Sequence, residues 1–179
     1  KCLVEQGHVD VNVKDKYGQT PLHIATEKCN IDIIKYFIEQ CHADVNVEVK
    51  KGFNEQTILH IATEKCDINI IKYFVEQRQI DPNVKDKYEQ TPLHIATNKC
   101  SFDIVKYFVE QCNLSVNIKD KYEQTPLQIA TEKSNIGIVK YLIEEGHADV
   151  NVKVKKGFNE QTLLHIATEK CDIDIVKYF

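Results

Sequence analysis

Residues 20–29 read T-P-L-H-I-A-T-E-K-C, and the phrase returns four more times along the chain. It is T-I-L-H-I-A-T-E-K-C from Thr57, T-P-L-H-I-A-T-N-K-C from Thr91, T-P-L-Q-I-A-T-E-K-S from Thr125 and T-L-L-H-I-A-T-E-K-C from Thr162. The threonines are spaced by 37, 34, 34 and 37 residues. A period of this size marks a solenoid, in which each unit buries its apolar face only against its neighbours. Thr20 suits a helix N-cap, where its hydroxyl accepts from the first turn, and Pro21 suits the first helical position. Leu22, Ala25 and Cys29 fall at i, i+3 and i+7, which predicts a two-turn helix with one narrow apolar stripe. Residues 31–40 place Ile33, Ile34, Phe37 and Ile38 on a wider face and leave Asp32, Lys35 and Glu39 to water. Helices this short are marginal alone, so stacking must stabilise them. Residues 44–56 and 81–90 are polar, with valine beside Asn46 or Asn83, and read as extended arms ending in hairpin turns.

Outward from this phrase the chain divides into a partial repeat, 1–9, and repeats of about 10–43, 44–80, 81–114, 115–148 and 149–179, the last truncated. Residues 42–74 and 147–179 differ only at Glu48/Lys153, Ile58/Leu163, Asn69/Asp174 and Ile71/Val176, an offset of three repeats. A three-repeat block duplicated whole explains this. Two arms, E-V-K-K-G-F-N-E-Q and K-V-K-K-G-F-N-E-Q, are three residues longer than K-D-K-Y-E-Q, and such insertions lengthen surface loops. The chain starts and stops inside equivalent second helices, as expected of a stretch from a longer array.

T-P-L-H-x-A, an I-V-K-Y-F helix and an A-D-V-N arm together resemble the ankyrin repeat over essentially the whole chain. The resemblance implies a mainly α repeat solenoid, each repeat a helix–turn–helix pair with a projecting β-hairpin. It also implies a non-catalytic scaffold that binds other proteins through its concave groove and hairpin tips. The departures are glycines. Cys29, Cys66, Cys100, Ser134 and Cys171 stand where the family has glycine between the two helices. After the second helix glycine is kept at Gly7 and Gly146 but replaced by Cys41, Arg78 and Cys112. In the hairpins Gly18 is kept, and Glu89 and Glu123 replace it. A non-glycine residue at φ > 0 costs about 1 kcal/mol, unless Asn30 or Asp67 takes the left-handed conformation instead.

With 42% hydrophobic and 28% charged residues and a formal net charge of −4, the chain has the balance of a soluble domain. No segment is long and apolar enough to span a membrane and no signal-peptide pattern opens the sequence. The mild acidity argues against a nucleic-acid partner. The expectation is a monomer in the reducing cytoplasm, or in the nucleus.

Seven cysteines and seven histidines raise the question of metal, but no C-x-x-C or H-E-x-x-H is present and the cysteines follow the repeat period. Packed helices lie roughly 8–10 Å apart, too far for neighbouring repeats to share a zinc or a disulfide. Reduced thiols, no metal and no cofactor are expected. His23, His60, His94 and His165 belong to the motif, with Gln128 once in their place. Glutamine replaces histidine as a hydrogen-bonding group but not as an acid–base, so these side chains read as ties to backbone. No nucleophile–base set or phosphate loop appears, and no enzyme activity is expected. Asn113-Leu114-Ser115 is a lone glycosylation sequon.

Tyr17, Phe53, Tyr88, Tyr122 and Phe158 occupy matching hairpin positions, with Lys16, Lys51, Lys87, Lys121 and Lys156 within two residues. Aromatics beside cations anchor interfaces, so these ten residues are the candidate partner-binding edge, suited to an acidic, extended protein. The competing reading is that each ring packs on the next arm. Two rival functions stand beside the scaffold. One is a structural spacer or spring, favoured by identical residues at Gln19, Gln56, Gln90, Gln124 and Gln161 and at Lys28, Lys65, Lys99, Lys133 and Lys170. The other is a recruiting or regulatory segment of a larger enzyme or channel.

Overall fold

The computed structural model describes residues 9–47, 55–156 and 159–179, with backbone alone at 155, 156 and 159. The chain forms two compact units, Lys1–Lys87 and Tyr88–Phe179. The first holds α1 (Pro21–Glu27), α2 (Ile31–Glu39), α3 (Ile58–Glu64) and α4 (Ile68–Lys72), the last continuing as a π-helical turn, Tyr73–Gln77. The second holds α5 (Pro92–Asn98), α6 (Phe102–Glu110), α7 (Pro126–Glu132), α8 (Ile136–Glu144), α9 (Leu163–Glu169) and α10 (Ile173–Tyr178). Between α8 and α9 the long arm pairs β1 (Val154–Lys156) with β2 (Asn159–Gln161), antiparallel, Val154 opposite Gln161. This is the expected helical solenoid.

Each first helix starts on an extended threonine. In α1 the Thr20 N–H donates to His23 Nδ1 at 3.1 Å, and Thr20 Oγ1 lies 2.7 Å from the same nitrogen. Histidine thus takes the place of the glutamate of a capping box. The helix ends in a Schellman motif: Cys29 N–H bonds Thr26 O at 3.0 Å and Asn30 N–H bonds Ala25 O at 3.1 Å. Cys29, Cys66, Cys100, Ser134 and Cys171 all take φ between 53° and 58°. Asn30 and Asp67 stay extended and cap the next helix through their side chains. The strain therefore sits on the glycine-substituting residues themselves.

Two expectations are corrected. After the second helix the left-handed residue is one position later than the sequence suggested, at His42, Gln79, Asn113 and His147 rather than at Cys41, Arg78, Cys112 and Gly146. Those helices end with a widened turn, Cys41 N–H reaching Tyr36 O and Ala43 N–H reaching Phe37 O, which delays the reversal. Gly146 is required for space instead: a Cβ there would lie 2.7 Å from Leu142 O. The first-helix stripe also differs, for Cys29 is exposed while His23 and Thr26 are buried with Leu22 and Ala25. Thr26 is accommodated because its hydroxyl donates to Leu22 O at 2.9 Å.

In the second unit Leu93, Ile104, Val105, Phe108, Leu127, Ile138 and Leu142 are essentially inaccessible. They are the inward faces of α5 to α8, as the spacing predicts. Faces at the chain ends are open: Ile24 and Ile33 are 44% exposed, and Leu164 and Ile173 are 45% and 59% exposed.

Candidate functional site

The candidate edge is built on short arms that share one local design. Asp15 Oδ1 accepts from the N–H of Tyr17 and of Gln19, both at 2.8 Å, and Gly18 at φ 79° closes the turn. Asp120 does the same for Tyr122 and Gln124, at 2.8 and 2.9 Å, with Glu123 at φ 61° in the glycine position. An Asx-type turn of this kind points the next side chain, a tyrosine, away from the core.

The arms carrying Tyr88 and Tyr122 are stitched together. Lys121 N–H donates to Tyr88 O at 2.8 Å and Gln90 Nε2 to Asp120 Oδ2 at 3.3 Å. The two rings stack with centroids 6.0 Å apart and planes 25° apart, an arrangement worth about 1 kcal/mol beyond area burial. Tyr122 is still 62% exposed and Tyr88 half-buried. The two rings thus pack on each other, as the competing reading expects, and still present a face to water. Tyr17 is 51% exposed with Lys16 Nζ 4.8 Å from its ring centre. Lys16, Lys87 and Lys121 are exposed. Lys51, Phe53 and Phe158 lie outside the described residues, and Lys156 is placed by its backbone alone, in β1.

Asparagines tie arm to arm. Asn12 Oδ1 accepts from Asp44 N–H, and Asn117 Oδ1 from Asp149 N–H, both at 2.8 Å. The motif histidines act as ties as well: His23 Nε2 lies 2.9 Å from Val47 O and His94 Nε2 lies 3.2 Å from Gln124 O. Because Nδ1 of His23 accepts from the Thr20 N–H, that ring is neutral with its proton on Nε2. Burial pulls the His23 pKa below its ordinary 6.5, against the opposing pull of the Val47 carbonyl.

Two features were not read from the sequence. The conserved-in-register glutamines are structural, since Gln19, Gln56, Gln124 and Gln161 each donate to the glutamate eight residues on, Glu27, Glu64, Glu132 and Glu169. The constant spacing of eight was the available signal. The second-helix tyrosines are the other. Tyr73 OH donates to Glu39 at 2.9 Å, Tyr141 OH to Glu110 at 3.2 Å and Tyr178 OH to Glu144 at 2.8 Å, each a bond back to the preceding repeat. Burial and Glu110 push the Tyr141 phenol up to about 12. Around Tyr73, Arg78 adds a 2.7 Å ion pair to Glu39 and lies over the ring. Tyr107, at the equivalent place in α6, is only 5% exposed.

Among the described residues no three His, Cys, Asp or Glu side chains converge as a metal ion would need. Cys29, Cys66, Cys100 and Cys171 are exposed thiols, and Cys41 and Cys112 are half-buried ones. No helix among the described residues is long and apolar enough to cross a membrane.

Comparison with known proteins adds the family. Short stretches of similarity recur in several relatives: the chain is 48% identical over 48 residues to alpha-latrocrustotoxin-Lt1a of Latrodectus tredecimguttatus, covering 27% of this chain and 3% of the toxin. It is 50% identical over 42 residues to alpha-latrotoxin-Lt1a of the same species, covering 24% of this chain and 3% of the toxin. An ankyrin repeat protein of Fowlpox virus (strain NVSL) is 46% identical over 48 residues, 26% of this chain and 9% of the viral protein. The matches thus span a small fraction of each relative's length. The family profile described as ankyrin repeats (3 copies) matches residues 1–49, 41–120, 59–154 and 112–179. Repeats of this kind are generally non-catalytic protein-interaction modules. With the profile covering the chain end to end, the protein belongs to the ankyrin-repeat family.

Proposed function

We propose that this chain is a non-catalytic protein-binding scaffold whose hairpin edge docks an acidic, extended polypeptide. The observation that carries the reading is the Tyr88–Tyr122 stack, held rigid by backbone and side-chain bonds between arms yet open to water, with Tyr122 62% exposed. A preformed aromatic surface binds with little ordering cost, and Lys16, Lys87 and Lys121 supply cations along the same series. Phe53, Phe158, Lys51 and Lys156 extend that series by their sequence positions. Four of the five identical glutamines, which in sequence favoured a spacer, pair internally with glutamates, and Gln90 pairs with Asp120. The reading takes the protein as a monomer in a reducing intracellular compartment, consistent with exposed thiols at Cys29, Cys66, Cys100 and Cys171.

The test compares two variants against a partner recovered from the source cell. Tyr88→Ala/Tyr122→Ala should weaken binding by about 30-fold or more, the effect of removing an interface anchor worth about 2 kcal/mol. Phe102→Ala, on the outer helix α6 and 41% exposed, should change affinity little. Tyr107 is unsuitable as that control because it is buried. Undiminished affinity in folded Tyr88→Ala/Tyr122→Ala protein refutes the reading.

A further inference from the structure

One junction in the second unit differs from its neighbour in its polar connections. Between the third and fourth repeats the His94 ring reaches Gln124 O, and Asp120 receives Gln90. Between the fourth and fifth repeats the histidine position is Gln128 and the aspartate position is Val154. Gln128 turns its amide to Glu132 at 3.1 Å. Valine has no acceptor to offer the preceding arm. A pocket of about 410 Å³ lies at this junction.

Its walls are rich in acceptors. Glu132 is held by the amides of Gln124 and Gln128, and Glu169 by that of Gln161. Both carboxylates line the pocket, as does Gln161, whose Oε1 is buried without a hydrogen-bond partner. Tyr122 lines it too, with its ring largely exposed. Among the described residues, Lys170 supplies an ammonium beside the two carboxylates. Carboxylates in fixed orientation, an amide oxygen lacking a donor and an aromatic face together match a planar, multi-donor cation. We infer that this pocket takes the guanidinium of an arginine side chain from a bound polypeptide. The guanidinium forks onto Glu132 or Glu169, lies against the Tyr122 ring and gives Gln161, after a small side-chain rotation, the donor it lacks.

The inference rests on the reading that the chain binds polypeptides, but its test does not use the unidentified partner. The uniformly ¹⁵N-labelled protein is titrated with acetyl-Gly-Arg-Gly-amide and with its citrulline counterpart, which is planar and isosteric but neutral. The arginine peptide should give saturable shifts of the Gln128 and Gln161 side-chain amides, with at least tenfold tighter binding than the citrulline peptide. Glu132→Gln/Glu169→Gln should weaken binding tenfold or more. Gln128→His, which restores the ring found at the neighbouring junction, should fill the pocket and abolish the shifts. Equal binding of the citrulline peptide, shifts confined to residues outside the pocket, or no saturable shift would each overturn the inference. If the peptide binds here while Tyr88→Ala/Tyr122→Ala leaves partner affinity unchanged, the hairpin-edge reading fails and this one stands; the reverse pattern separates them the other way.

Discussion

Replacing His94 measures how much the motif histidine contributes by joining its helix to the next arm. His94 is fully buried, with Nδ1 3.1 Å from the Thr91 N–H and 2.9 Å from Thr91 Oγ1, and Nε2 3.2 Å from Gln124 O. In His94→Ala the buried Thr91 N–H loses its acceptor and Gln124 O loses a donor. The stranded Thr91 N–H costs about 1–3 kcal/mol. Losing the bond to Gln124 O, which keeps the Asp120 N–H at 3.0 Å, costs about 1 kcal/mol more, so the variant should lose about 2–4 kcal/mol. His94→Gln can serve one of the two groups and should lose about 1–2 kcal/mol. The fourth repeat shows how a glutamine settles at this position: Gln128 turns to Glu132, and the equivalent of Glu132 in the third repeat is Asn98. His94→Gln/Asn98→Glu should therefore recover part of the loss. Urea unfolding followed by circular dichroism reads these differences; at a slope of about 2 kcal/mol/M the alanine variant's midpoint falls by about 1–2 M. An alanine variant within about 0.5 kcal/mol of the parent, or a double variant no more stable than His94→Gln, would refute the account.

Three further outcomes are expected. Because burial lowers the folded-state pKa of His23 below its ordinary 6.5, the neutral ring contributes stability that is complete above that value and lost as pH falls through it towards the folded pKa; acidification from about pH 8 to about pH 5 should lower the urea midpoint less in His23→Gln than in the parent, and an NMR titration placing His23 at or above 6.5 would contradict this. Cys29→Gly, Cys66→Gly and Cys100→Gly should each raise stability by up to about 1 kcal/mol by relieving a left-handed backbone at φ 53°, 58° and 58°, and unchanged melting midpoints would show that the strain is absorbed elsewhere. Hydrogen exchange should find residues 163–179 opening more readily than residues 92–111, since Leu164 and Thr168 are exposed where their counterparts Leu93 and Thr97 are at 0%; equal protection would count against that.

The helical pairs were legible because their causes are local. Thr20-Pro21 announces a helix start by itself, and Ile104, Val105 and Phe108 fall on one face by spacing alone. The exposure of Cys29 was not legible, because periodicity assigns a face to any residue within the helix and the chain has already left the helix at Cys29. The shift of the left-handed residue to His42 depends on an extra hydrogen bond in the last turn, which no residue type announces. At the candidate site the sequence placed tyrosines on turns, but the Tyr88–Tyr122 stack depends on the spacing of two arms brought side by side by the helices below. Tyr141 and Glu110 are 31 residues apart, so their bond becomes visible only once repeats are stacked.

The glutamine pairs set a limit on treating these repeats as interchangeable cassettes. Gln124 and Gln161 find a glutamate within their own repeat, whereas Gln90, with Asn98 at that place, takes Asp120 from the arm that follows. A shuffled protein that set the third repeat before a long arm would put valine where Asp120 now stands, and Gln90 would lose that acceptor. Placing the third repeat before another short arm preserves it. The natural unit for recombination is accordingly the seam, one repeat's helices with the next repeat's arm, and libraries cut at the seams' midpoints would carry mismatched polar groups into their interiors.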